Sequence, residues 1–171
     1  MTRFAGKVKD ELSQEGSMDI RQAEASDLDA VKEITHKTIA EIYPHYYPAG
    51  TVTFFIRHHS VESISSDISE GCVHLIFDDE QKAVGTVTIK ENEICRWFVL
   101  PKYQGRGYGR KLIEFAENEI GKSYDEIKVD ASLSAKTIYL ERGYKETEYH
   151  CADSFFGDHL CYDVMKKKIE R

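Results

Sequence analysis

The chain has 171 residues, 41% hydrophobic and 31% charged, with a formal net charge of −7. That length and apolar content fit one domain with one ordinary core, and the acidic balance argues against nonspecific binding to nucleic acid while mildly favouring cationic small substrates. No segment approaches the apolar length of a membrane span, and the charged start is unlike a signal-peptide core.

In chain order, residues 1–17 come first. They are polar, carry only a short helical pattern at Phe4, Val8 and Leu12, and end in Glu15-Gly16-Ser17, so they read as an extension or tag-like leader to a domain over 18–171. Ile20-Arg21-Gln22-Ala23 predicts a short strand. Ser26, followed by Asp27 and Asp29, predicts a capped helix with its stripe at Leu28, Val31, Ile34, Thr38 and Ile42, closed by Pro44. An aromatic loop, His45-Tyr46-Tyr47-Pro48-Ala49-Gly50, leads into a helical stretch through Phe54, Phe55 and Ile56. A second capped helix starts near Ser60, with Val61, Ile64 and Ile68 inward. Three strands are expected over 72–77, 83–90 and 93–100, joined by polar turns.

Residues 99–110 read Val-Leu-Pro-Lys-Tyr-Gln-Gly-Arg-Gly-Tyr-Gly-Arg. An apolar strand ends at Pro101 and a glycine-rich turn opens a helix with Leu112, Ile113, Phe115, Ala116 and Ile120 on one face, stopping at Gly121. The unpaired first-turn amides and positive dipole end of that helix face the turn, an arrangement suited to a pyrophosphate, and Arg106, Arg110 and Lys111 add positive charge. The spacing is neither the dinucleotide-binding G-x-G-x-x-G nor a triphosphate loop ending in Gly-Lys-Ser/Thr. A structural turn without a ligand is the plain alternative. Beyond it come a strand over 126–131, a helix over 134–142, a strand over 145–150, a loop around Gly157 and a strand over 160–165. Periodicity alone yields a mixed-sheet α/β or α+β domain. Cys72, Cys95, Cys151 and Cys161 form no C-x-x-C pair and read as reduced thiols of a cytoplasmic protein.

Gln104-Gly105-Arg106-Gly107-Tyr108-Gly109 resembles the Q/R-x-x-G-x-G/A signature of the GCN5-related N-acetyltransferases, the GNAT superfamily, and Arg96-Trp97-Phe98-Val99-Leu100-Pro101 resembles the strand that leads into it. A second stretch, Ala135 to Tyr144, resembles the family's A-x-x-x-Y-x-x-x-G-F/Y segment, with Gly143 ending the helix and Tyr139 singled out. The resemblance spans roughly residues 18 to 168. It implies an α/β (α+β) acyl-CoA N-acyltransferase fold: a mixed, mostly antiparallel, twisted sheet of six to seven strands flanked by about four helices.

The resemblance also implies a site. The amides of Gly105, Arg106, Gly107, Tyr108, Gly109 and Arg110 would hold the diphosphate of acetyl-CoA, with Gln104 and Arg106 at the mouth. Main-chain groups of Phe98, Val99 and Leu100 would pair with the pantetheine arm, one N–H meeting the acetyl oxygen. Ser132 stands where many members carry Asn, and Lys136 follows as a further cofactor contact. Tyr139 is the expected acid, since a phenol of pKa about 10 stays protonated at neutral pH and suits donation to the departing thiolate; a core tyrosine is the alternative. Glu93 is the expected base, acting through water, against a solvated strand-end carboxylate beside Glu91.

Three further readings stay open. Tyr46 and Tyr47 line the acceptor groove or pack the loop. The loop from Asp153 to His159 is a second candidate acceptor wall, whose acids would attract an ammonium. Cys95 leaves a covalent step open, although a lone strand cysteine is usually core. The histidines lack metal-ligand spacing, so no metal is expected. The implied activity is direct transfer of acetyl from acetyl-CoA to a primary amine of a small molecule or peptide, against a non-catalytic CoA-binding or sensing module of the same fold. No nucleic-acid or membrane partner is implied, and homodimers are frequent in the family.

Overall fold

A computed structural model describes residues 18–169. The extension expected over 1–17 lies outside the described residues. The elements run β1 (Ile20–Gln22), α1 (Leu28–Ile42), α2 (Ala49–His58), α3 (Val61–Ser69), β2 (Val73–Phe77), β3 (Ala83–Lys90), β4 (Glu93–Val99), α4 (Tyr108–Gly121), β5 (Glu126–Ala131), α5 (Lys136–Glu141), β6 (Lys145–Asp153) and β7 (His159–Lys168). The seven strands form one sheet in the order β1-β2-β3-β4-β5-β7-β6. Every pairing is antiparallel except β4 with β5.

Alternation along the strands divides the apolar residues between two faces. On β2, Leu75 joins Val31, Ile34, Ile39 and Ile64 under α1 and α3, whereas Ile76 joins Leu112, Ile113, Ala116 and Ile120 of α4 on the other face. Leu112 and Ile64 are wholly buried, and each such side chain contributes about 1.5–3 kcal/mol relative to exposure. Helix α5 lies on the α4 side, where Tyr139 and Tyr144 enter the cluster with Met165 of β7.

Local signals hold at Ser60, whose hydroxyl accepts from the Ser63 N–H at 3.2 Å and caps α3. They shift at α1. Ser26 is not the cap; residues 25–27 form a short 3-10 turn closed by Glu24 and Asp27, and Asp27 also takes Arg21 at 2.7 Å. The helical stretch expected through Phe54 is a full helix, α2, so three helices precede β2. It packs through the Gly50 backbone. A Cβ there would stand 1.9 Å from the Phe155 carbonyl oxygen, and the Gly50 N–H donates to Asp158 Oδ2 at 2.7 Å.

Candidate active site

Strands β4 and β5 pair only at Glu93 with Lys128 and Ile94 with Val129, then diverge. A bulge at Cys95 precedes the divergence: Ile89 faces Ile94 and Thr88 faces Arg96, leaving Cys95 as the extra residue. Its consequence is a change of parity. The Leu100 N–H donates to the Val84 carbonyl at 2.9 Å, so Phe98 and Leu100 spend their main-chain groups on β3 while those of Trp97 and Val99 point into the opening. The Val99 carbonyl is already held by Gln104 Nε2 at 2.9 Å and Thr38 Oγ1 at 3.2 Å, which leaves its N–H. This corrects the expected set. Leu100 has its carbonyl bound by the Tyr103 N–H as well, Phe98 supplies a ring rather than amides, and Trp97 takes their place.

The glycine turn opens onto the same gap. Gly105 and Gly107 adopt φ of +74° and +94°, the left-handed region that side chains disfavour, and Gly107 is the N-cap of α4 with no side chain capping it. The first bond of this helix runs from the Lys111 N–H to the Gly107 carbonyl, so the amides of Tyr108, Gly109 and Arg110 have no intrahelical partner. Trp97 Nε1 donates to the Gly109 carbonyl at 3.2 Å and fixes the helix start against β4. Arg110 lines the cleft, whereas the Arg106 guanidinium rests over the Tyr103 ring at 5.4 Å. The Tyr108 side chain turns into the core, so only its amide belongs to the turn. Gln104 serves by tying the turn to Val99.

A cleft of about 950 Å³ joins these groups to the rest of the expected site, including Glu93, Ser132 and Tyr139. Tyr139 is 5% exposed, with its ring 5.5 Å from Trp97 and 5.1 Å from Tyr144. Burial pushes its hydroxyl above the ordinary phenol range, with Tyr43 and Glu117 adding to the shift, so it stays protonated. The Glu93 carboxylate stands at the crotch of β4 and β5, 3.3 Å from Lys128 Nζ. Ser132 Oγ lies 3.0 Å from Ser134 Oγ. Lys136 is a correction: its ammonium pairs with Asp163 at 2.8 Å and with Glu146, and it does not line the cleft. The long chain reaches two carboxylates on β6 and β7 in preference to open solvent.

The opposite wall is built from α1, α2 and β4. Tyr43, Phe54, Phe55 and Phe98 give it an aromatic surface. Tyr47 is buried against Tyr43 and Phe55, and its hydroxyl accepts from the Leu133 N–H at 2.7 Å, so it packs the loop; Tyr46 is exposed and off the cleft. The loop from Asp153 to His159 is likewise no wall. Its Asp158 binds the start of α2, and its neighbours Leu160 and Tyr162 line the cleft instead.

Sequence reasoning missed a buried polar group in this wall. Arg96, 4% exposed, donates through Nη2 to Asp67 Oδ2 at 3.0 Å, through Nη1 to Thr88 Oγ1 at 2.8 Å and through Nε to His59 Nδ1 at 3.4 Å. Burial, reinforced by the Arg96 charge, drives His59 down to about 2, so the ring is neutral with its proton on Nε2. The available signal was an arginine alternating with Ile94 and Phe98, an inward charge that demands a buried partner. Cys95 faces the cleft, and desolvation there together with Glu93 pushes the thiol up to about 11. Among the described residues, no group of three or more His, Cys, Asp or Glu side chains could hold a metal, and no helix is long and apolar enough to cross a membrane.

The family model described as Acetyltransferase (GNAT) domain matches residues 42–169. No curated protein sequence matches the chain. Among solved structures, a GCN5-related N-acetyltransferase from Rhodopseudomonas palustris superposes with a TM-score of 0.81 at 21% identity, covering 89% of this chain and 96% of that one. The PaiA N-acetyltransferase from Thermoplasma acidophilum in complex with coenzyme A gives 0.70 at 21% identity, with coverage of 90% and 99%. The ribosomal-protein-S18-alanine N-acetyltransferase from Escherichia coli gives 0.65 at 19%, with coverage of 90% and 94%. At these identities the likeness is one of fold. The divergent β4 and β5, the uncapped glycine turn and a family match across three quarters of the chain lead to one conclusion: the chain belongs to the GNAT acetyltransferases and is an enzyme of the N-acetyltransferase class.

Proposed function

We propose that this enzyme transfers the acetyl group of acetyl-CoA directly to a primary amine of a small molecule or peptide, in the cytoplasm. One observation carries the reading: the free amides of Trp97 and Val99 and those of residues 108–110 open onto a single cleft that Tyr139 also lines. The turn fits the cofactor, since two of its residues need the conformation glycine supplies and no side chain occupies the helix start. The Thermoplasma relative, similar in fold, was solved with coenzyme A. The Gly107-to-Arg110 segment would hold the diphosphate, and the Trp97 and Val99 backbone the pantetheine arm.

Chemistry then falls to few groups. An inward N–H of β4 polarises the thioester carbonyl, Glu93 takes the amine proton through water, and Tyr139 protonates the leaving thiolate. The Cys95 thiol, held protonated at neutral pH, is a poor nucleophile, which favours a ternary complex over an acetylated enzyme. The test is release of free coenzyme A thiol from acetyl-CoA across a panel of amines. Turnover with at least one primary amine is expected. Tight acetyl-CoA binding without turnover on any amine would leave a CoA-binding module instead.

A further inference from the structure

Two of the four thiols meet at the edge of the sheet, away from the cleft. In the register of β6 with β7, Cys151 stands directly opposite Cys161. The Ser154 N–H donates to the Asp158 carbonyl at 2.7 Å at the end of this hairpin. Counting back by alternate pairs, Ala152 with Leu160 and His150 with Tyr162 exchange hydrogen bonds, and Cys151 with Cys161 is a non-hydrogen-bonded pair. Opposed Cα atoms at such a pair lie about 4.5 Å apart, inside the roughly 4.4–6.8 Å span of a disulfide, and both side chains leave the same face. That face is the one opposite His150 and Tyr162, whose rings stack at 5.3 Å. Cys151 is exposed and Cys161 half-buried, and both are free thiols. Neither position is used by the cleft.

From this juxtaposition we infer that Cys151 and Cys161 form an oxidation site, a dithiol that a hydroperoxide converts into a cross-strand disulfide within one chain. One of the two sulfurs attacks first, as its thiolate. That thiolate attacks one oxygen of hydrogen peroxide, the O–O bond breaks, hydroxide leaves and is protonated to water, and a sulfenic acid remains on the cysteine. The thiolate of the other cysteine then attacks that sulfur, an S–S bond forms, and hydroxide leaves as a second water once protonated. Together the two thiols lose two protons and two electrons, and one hydrogen peroxide is reduced to two waters. Cys151 is exposed, and exposed disulfides are among the readily reduced ones, so the reaction reverses with a small thiol.

The full chain treated with equimolar hydrogen peroxide should lose two hydrogens in intact mass, and digestion without reductant should yield one linked peptide pair joining 151 to 161. Dithiothreitol should restore the starting mass. Cys151→Ser and Cys161→Ser should each abolish the two-hydrogen loss and take up oxygen instead, whereas Cys72→Ser and Cys95→Ser should leave it unchanged. A link through Cys72 or Cys95, a link between chains, or wild type behaving as Cys151→Ser does would overturn the assignment. Because the readout is mass, the outcome is independent of whether acetyl-CoA turns over.

Discussion

The two walls of the cleft are built by different means. The wall formed by β4 and α4 is nearly continuous in sequence: residues 97–110 supply the free β4 amides, the left-handed glycines and the uncapped helix start. The facing wall is assembled from distant segments, with Asp67 on α3, His59 after α2 and Thr88 on β3 converging on Arg96. The first wall presents main-chain donors, those of the glycine turn in a locally determined conformation, and the second a buried charge network that exists only when three layers are packed. The two should therefore fail differently, one in cofactor affinity and the other in stability.

The largest effect should come from the assembled wall. Asp67→Ala leaves the Arg96 guanidinium buried without its carboxylate, and such a broken pair costs about 3–5 kcal/mol, read as a lower urea midpoint. Acetyl-CoA affinity of the folded protein should hardly change; a matching loss of affinity would show that the walls are not separate. Next is Tyr139→Phe, which keeps the ring against Trp97 but removes the proton, and is expected to lower kcat by about a hundredfold or more with acetyl-CoA binding intact. Unchanged kcat would remove Tyr139 from the chemistry.

Gly107→Glu strains a residue at φ +94° and sets a carboxylate beside the proposed diphosphate site. Calorimetry should show acetyl-CoA binding weakened by about tenfold, equivalent to about 1.4 kcal/mol, with the urea midpoint moved less than in Asp67→Ala. Equal affinity would break the contrast from the other side.

The most gradual effect is in pH. Folded His59 takes up its proton only near about 2, whereas the unfolded ring does so near 6.5. Between these values the unfolded state binds more protons, so stability is full above pH 6.5 and falls as pH drops, by at most about 1.4 kcal/mol per unit from this group. His59→Asn should flatten that part of the slope between pH 6.5 and 5.

The glycine turn, the stripe of α4 and the Ser60 cap were legible because each depends on neighbours a few residues apart, and Tyr139 was legible through its match to the family segment. The free backbone of β4 was not. A single bulge at Cys95 reverses which residues face the gap, and no propensity marks a bulge that is stabilised by its partner strand. Lys136 was misplaced for a related reason: a long cation goes to the nearest carboxylates, and those sit on β6 and β7.

By itself the amino-acid order determined the α/β class and the glycine turn that opens α4, since dihedral preference and helical period act over a few residues, while its likeness to the family motifs pointed to the acetyltransferase fold and to Tyr139. Tertiary structure alone decided which amides stay free, that Arg96 finds Asp67 and His59, and that Cys151 meets Cys161. Those contacts join residues ten to nearly forty positions apart, and their partners are chosen by strand register and layer packing.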